Sequence, residues 1–410
     1  MRITFLLKNT QNSWKRSINL ISILSGSISI GILYAVYNFV LIPYLNEALD
    51  SMVIPGYLVS IGMFLTIFTG MLIGYLSDKK RDYLIYIKVL FLVAFIAMGL
   101  LSLKNRFLLY FTTIVFVTTT FSIQTPYSAF VSSVSKDYNK DRNYGFVMGV
   151  SNISMFLSSI LIGVVISKSI EFVIILLSLI GVLFVVPLFL KKLNSSPLLD
   201  EKENSLSENN SKVFKHVSLL LISQFGIWFT VGGVLPYATS FLKTEFSLSL
   251  EKASFFMGIS TLISALFSTI TGIFSKILGR KKLYIFTILT LLTTFSLIFL
   301  FYENFLSIHS PFLFLILFLF SGALGIIYTM NVVIISNSVP QNYQGKIFGI
   351  NNIVVVLSQT ISLSLMGSVI ANFGYRGAFL VPTLGMVIAL FFYLLHLRRE
   401  VTISLQKDNI

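Results

Sequence analysis

The side chains of this 410-residue chain that could engage a solute away from its surface are uncharged. Tyr34, Tyr37 and Asn38 fall three and four residues apart, which places them on one face of a helix. Gln124 and Tyr127 flank Pro126. Gln224 and Trp228 are four apart with Tyr237 further on, and Tyr328 precedes Asn331 by three. Amides and phenols set among aromatic faces suit a hydroxylated or amphiphilic neutral solute, because rings stack on its apolar side while amides fix its orientation. Asn and Gln are equally apt as hydrogen bonds between helices, so spacing alone leaves both uses open. Asn152, Asn352 and Gln359 lean toward the second.

Other chemistries lack their parts. There is no cysteine, hence no disulfide, thiolate metal site or cysteine nucleophile. His216, His309 and His396 stand far apart, without a second ligand at metal spacing. No Walker-type glycine loop appears, which argues against ATP as the energy source. No nucleophile–base pair can be assembled. The expectation is a protein that is not an enzyme and holds no cofactor or metal.

Only 11% of the residues are charged and 55% are hydrophobic, with a mean hydropathy of +0.88. A soluble domain carries about 25% charged residues, so this surface belongs in lipid. Crossing roughly 30 Å of hydrocarbon takes about 20 apolar residues as a helix. Such runs lie near 17–46, 54–76, 85–103, 106–134, 144–167 and 170–190, and again near 215–241, 252–277, 282–302, 311–337, 346–371 and 376–397. Twelve transmembrane helices are therefore expected, in an all-α membrane protein, since unpaired strands would leave backbone groups unsatisfied in lipid. The first run is too long for a signal-peptide core, so helix 1 is read as retained.

The formal charge of +14 reports orientation rather than a nucleic-acid partner. Of the 30 Lys and Arg, 24 fall in the N-terminus, the even-numbered connections and the tail, against 6 in the odd-numbered connections. The positive-inside rule then puts both termini in the cytoplasm. Every carboxylate and every cation sits in a loop or near a helix end. Intramembrane charges normally mark proton relays or partners of charged substrates, so their absence points to a substrate without strong net charge. The driving ion, H+ or Na+, is left open.

The chain divides into 1–190, a polar linker at 191–215 (KKLNSSPLLDEKENSLSENNSKVFK) and 216–410. GFVMGVSNISMFLS, opening helix 5, aligns without a gap with GKIFGINNIVVVLS, opening helix 11, at an offset of 200. Gly145, Gly149 and Asn152 match Gly345, Gly349 and Asn352. A second pair, GYLSDKKRD from Gly74 and GIFSKILGRKK from Gly272, repeats at an offset of 198. Both are short cationic turns starting at a glycine, and together they indicate a 6 + 6 duplication. Gly74 lacks a side chain, which would let two helix ends approach closely. Asp78 behind it can accept hydrogen bonds from the N-terminus of a facing helix.

On these residues the chain resembles the major facilitator superfamily, whose signature between helices 2 and 3 runs Gly-x-x-x-Asp-Arg/Lys-x-Gly-Arg-Arg/Lys and recurs, degraded, between helices 8 and 9. Gly74, Asp78 and Lys79 match the first copy, with Arg81 in place of its second Gly. Gly272, Gly279, Arg280 and Lys281 match the second, with Lys276 in place of the acid. The resemblance implies two pseudo-repeated six-helix bundles, a cavity lined by helices 1, 4, 7 and 10, and binding near the midplane between the repeats. It also implies that Asp78 faces helix 11, which begins near Gly345, and with Arg142 latches the halves shut on the cytoplasmic side.

The function implied is secondary transport of a small solute by alternating access, in a monomer. NFVLIPYLNEAL, TPYSAFVSSVSKDYNKDR and GINNIVVVLSQ look like the glycoside and sucrose-type cation symporters. Helix 5 lacks the Gly-Pro and Gly-Gly pairs of drug–proton antiporters. Efflux of a drug or metabolite and a nontransporting sensor with a transporter fold stay open as alternatives. Abundant Ile, Lys and Asn with scarce Ala point to a low-GC bacterium, hence the cell membrane. Hydrogen bonds to a charged group are worth roughly 1.5–3 kcal/mol, so Asp78→Asn at normal surface expression is expected to slow transport about tenfold or more. Wild-type rates in that assay would remove the latch role.

Overall fold

A computed structural model describes residues 21–80, 83–103, 105–134, 140–166, 169–189, 207–303, 311–339 and 341–408. Twelve helices in it are long and apolar enough to cross a membrane. These are α1 (Ile21–Leu49), α2 (Ile54–Ser77), α3 (Tyr83–Leu100), α4 (Arg106–Val131), α5 (Arg142–Val165) and α6 (Ile170–Phe189). The second set comprises α7 (Val217–Glu245), α8 (Leu250–Leu278), α9 (Arg280–Leu300), α10 (Leu315–Ser338), α11 (Ile347–Ala378) and α12 (Leu380–Arg399). Among the described residues there is no strand. The chain therefore has an all-α fold, as the apolar runs require.

Burial sorts the helices into a centre and a rim. The most apolar stretch of α1 is 89% buried, that of α10 78% and that of α7 61%, against 39% for α3, α6, α9, α11 and α12. The rim helices turn large apolar side chains outward, among them Ile96, Leu179, Phe286 and Phe391. An apolar residue with no protein neighbour is stable there only against lipid. Lys88, one turn into α3, places its ammonium 5.3 Å from the Phe189 ring centroid.

Proline and glycine interrupt the spans where the site lies. Pro43 has no N–H for the carbonyl four residues earlier, and just ahead of it α1 widens into a π-helical turn over Val36–Leu41. Pro126 has the same effect on α4, which breaks at Ile123 between Arg106–Ser122 and Gln124–Val134. Gly374 kinks the end of α11 with a φ of 67°, a left-handed value that glycine tolerates. The helix carrying α7 starts at Ser207, inside the polar stretch read as linker; the part of that stretch before Ser207 lies outside the described residues.

Within the first six helices, α2 and α6 flank α3 and α4; within the last six, α8, α9 and α12 flank α10 and α7. The two sets meet along two seams, α5 on α8 and α2 on α11, with α1 touching α7. The face where α1 begins and α12 ends is here the near face, and the opposite one the far face. A Cβ on Gly145 would stand 2.9 Å from both the Gly272 Cα and the Ser268 carbonyl oxygen, so α5 and α8 cross backbone to backbone at the near face. Further along, Gly149 faces Thr269, the Asn152 amide donates to Ser264 Oγ at 3.3 Å, and Gly258 receives Ser159. On the other seam the Ser60 hydroxyl donates to the Thr360 carbonyl at 3.2 Å, and beside it the Asn352 amide of α11 donates to Thr125 Oγ1 of α4 at 3.0 Å.

Among the described residues a Cβ on Gly74 would meet Thr125 Cγ2 at 3.7 Å, an ordinary contact, while the side chains at 78–80 and 341–346 lie outside them. A backbone crossing at the near face is made by Gly145 and Gly272. Overpacking of this kind costs about 1–3 kcal/mol, so Gly145→Ala should lower the melting temperature of the purified protein. Gly349→Ala, where nothing among the described residues lies within 4 Å, should leave it level or raise it, since Ala is favoured over Gly in a helix by about 1 kcal/mol. Equal melting temperatures would remove the crossing as a packing constraint.

Candidate functional site

The irregular turns of α1 and α4 bring their polar residues together. The Gln124 amide donates to the Tyr34 hydroxyl at 2.5 Å. The Tyr34 and Tyr37 rings both rest on Phe121, with centroids 5.4 and 4.9 Å away, the second edge-on. From the other six helices, Trp228 and Tyr328 pack at 5.6 Å between centroids. The π-helical turn carrying Tyr37 packs on α7. Four aromatic side chains of α1, α7 and α10, with an amide of α4, thus gather where the two sets of helices face one another.

Several polar atoms in this cluster are buried with no hydrogen-bond partner among the described residues. They are the Tyr37 hydroxyl, Trp228 Nε1 and Asn331 Oδ1; such atoms occur elsewhere too, as at Thr120, Ser254 and Asn351. A buried group left unpaired costs roughly 1–3 kcal/mol, so a polar molecule able to pair with these three would be at home here. Asn38, inside the π-helical turn, is buried beside them. Charge is absent from the middle: among the described residues, ionisable acids and bases of the spans stand within about two turns of a helix end.

Two residues read as cavity candidates are engaged elsewhere. The Gln224 amide is fully buried and donates to the Tyr284 hydroxyl at 2.6 Å, and the Tyr284 ring packs at a tilt of 59° against Tyr393. It ties α7 to α9 next to α12. The Tyr127 hydroxyl donates to the Ile23 carbonyl at 2.6 Å and pairs with Ser27 at 2.8 Å, which fixes α4 to α1. Both groups tie helices together, and Gln224 Oε1 has no hydrogen-bond partner among the described residues. A period of 3.6 says which residues share a face but not which neighbour that face meets.

The gate residues are only partly in view. Asp78 and Lys79 continue the helix Ile54–Lys80, and Gly345 lies in the helix Gln341–Ala378, but their side chains and surroundings fall outside the described residues. Arg142 is exposed at the start of α5. Gly279 joins α8 to α9 with a φ of 84° that glycine permits. Arg280 Nη1 donates to Asn337 Oδ1 at 2.9 Å, a bond from α9 to α10 rather than between the two sets of six.

The sequence profile of the Major Facilitator Superfamily matches residues 23–241 and 220–408, nearly the whole chain. The chain belongs to this superfamily. Solved structures with the same fold include the human organic anion transporter MFSD10 (TETRAN), with 13% identity and a TM-score of 0.67 over 93% of this chain and 98% of that one. A variant of the nucleoside transporter NupG gives 13% identity and a TM-score of 0.69 over 92% and 99%. Likeness at this identity concerns the fold. No curated protein matches the sequence. As a superfamily member the chain is a multi-pass membrane protein with a transporter fold.

The position of Gln224 generates a test. Removing the hydroxyl in Tyr284→Phe leaves the Gln224 amide unpaired, at a cost of about 1–3 kcal/mol. The melting temperature should fall while the affinity for a transported solute stays unchanged. A loss of solute affinity at unaltered melting temperature would return Gln224 to the cavity.

Proposed function

We propose that this superfamily member is a secondary transporter of a small, largely uncharged organic solute, working by alternating access across a bacterial cell membrane with both termini in the cytoplasm. The observation that carries the reading is the neutral cluster of Tyr34, Tyr37, Gln124, Trp228, Tyr328 and Asn331, contributed by α1, α4, α7 and α10 from both sets of six helices. Tyr37, Trp228 and Asn331 each carry a buried polar atom without a partner among the described residues, and the Tyr37 and Trp228 rings pack on Phe121 and Tyr328. Trp228 Nε1 can only donate and Asn331 Oδ1 can only accept. The matching solute offers an acceptor and a donor beside a flat apolar face, as glycosides and nucleosides do. An organic anion would meet no cation in this cluster, which favours the neutral class.

The two bundles, 1–190 and 216–410, would rock about this site on the α5–α8 and α2–α11 seams. The near face is then cytoplasmic. With no carboxylate in the cluster, a symported H+ or Na+ would bind elsewhere, and uptake driven in turn by a proton and a sodium gradient identifies it. Uptake compared with accumulation in inside-out vesicles gives the direction.

The protein has two tryptophans, Trp14 and Trp228, so Trp14→Phe leaves Trp228 as the sole indole. Titrating this variant with sugars, nucleosides and common drugs should quench or shift its emission for the transported class. Losing one hydrogen bond of about 1–2 kcal/mol corresponds to roughly 5- to 30-fold in affinity, the weakening expected for Tyr37→Phe and Asn331→Ala. A transported solute that leaves Trp228 emission unchanged, and whose uptake ignores both substitutions, would place the site elsewhere.

A further inference from the structure

A cavity of about 90 Å³ lies wholly within the last six helices, in the far half of α7, α9, α10 and α11. Tyr34, Tyr37, Gln124, Trp228, Tyr328 and Asn331, the residues proposed to bind the transported solute, are not among its lining residues. Its walls include the rings of Tyr237, Phe241, Phe295, Phe320 and Phe379 together with Met366, and no charged side chain. Phe241 packs edge-on against Phe379 at 5.3 Å and Phe295 against Phe320 at 5.6 Å. Ile298, Ile316 and Tyr375 of its wall form, with Tyr302, a second small hydrophobic cluster distinct from the main core. A polar or charged occupant would lose its hydration without compensation. A dry apolar cavity takes small hydrocarbons, and ring edges directed at ring faces favour an aromatic one.

Tyr237 belongs to this wall and to a seam at once. Its ring lines the cavity, while its hydroxyl sits where a Cβ on Gly56 of α2 or on Gly367 of α11 would be, at 2.5 and 2.7 Å. Any larger residue at either glycine would displace it. The hydroxyl itself has no hydrogen-bond partner among the described residues, so what fixes this side chain is packing on the ring. We infer that the cavity binds a small, uncharged, single-ring aromatic molecule, and that an occupant holds Tyr237 against Gly56 and keeps the far end of the α2–α11 seam closed.

Fluorobenzene is a suitable probe, followed by ¹⁹F NMR on the full-length purified protein. A saturable bound signal is expected, together with a rise in melting temperature, because a ligand that binds the folded state stabilises it. Ala378→Leu and Thr294→Leu each add bulk to the wall and should weaken this binding at least tenfold while leaving Trp228 titrations intact. Partition into detergent would be the same for all three proteins. For the seam, Ser60→Cys supplies the only thiol in the chain. Its alkylation should slow severalfold with fluorobenzene present and recover its rate when Ala378→Leu is added. The binding site is overturned by the absence of a saturable signal, or by equal binding in wild type and both filled variants. The link to the seam is overturned if bound fluorobenzene leaves the alkylation rate unchanged.

Discussion

Helices from different halves of a membrane protein gain nothing from burying apolar surface, because the lipid they leave is as apolar as the partner they meet. What holds them is contact close enough for dispersion and a few hydrogen bonds, and contact that close needs missing side chains. The crossing of Gly145 over Gly272 is the clearest case here, and Gly149 and Gly258 extend it along α5 and α8. The hydrogen bonds of Asn152 and Ser60 then find partners on the opposite half. A seam of small residues and short polar bonds can slide or hinge without exposing a large apolar face. That property suits halves that must separate at one end while staying joined at the other.

The interior follows from the same economy of charge. With ionisable groups held within about two turns of the helix ends, the centre is assembled from phenols, amides and an indole. The π-helical turn in α1 and the break in α4 let those groups meet, since a regular helix would keep Tyr34 and Gln124 in fixed register with their neighbours. Pro43 and Pro126 are the sequence features behind both irregularities. The Tyr37, Trp228 and Asn331 atoms without a partner are the hydrogen-bonding capacity that the proposed solute would use.

Much of the architecture was legible in the sequence, because hydropathy and chain length are sufficient to fix spans in lipid. The twelve apolar runs agree with the helices to within several residues, and the break expected before residue 376 is the kink at Gly374. The matched Asn152 and Asn352 both make bonds between helices. The angular setting of each helix was not legible. Gln224 and Tyr127 carry the residue types of a cavity wall, yet they bond Tyr284 and Ile23, because spacing fixes a face but not its neighbour. Phe121, which joins Tyr34 to Tyr37, had no signal among 39 phenylalanines. Gly145 was visible as part of a repeat, but its contact with Gly272 is a long-range fact that no local pattern encodes.

Paired spin labels on the cysteine-free chain address the proposed motion most directly. One pair would report on the far face, at Glu47 of α1 and Lys243 of α7, and the other on the near face, at Ser128 of α4 and Asn337 of α10, all exposed positions. Across solute and gradient conditions, the account predicts that one distance lengthens as the other shortens, in a single population exchange. Distances that stay fixed in every condition, or that lengthen and shorten together, would contradict it.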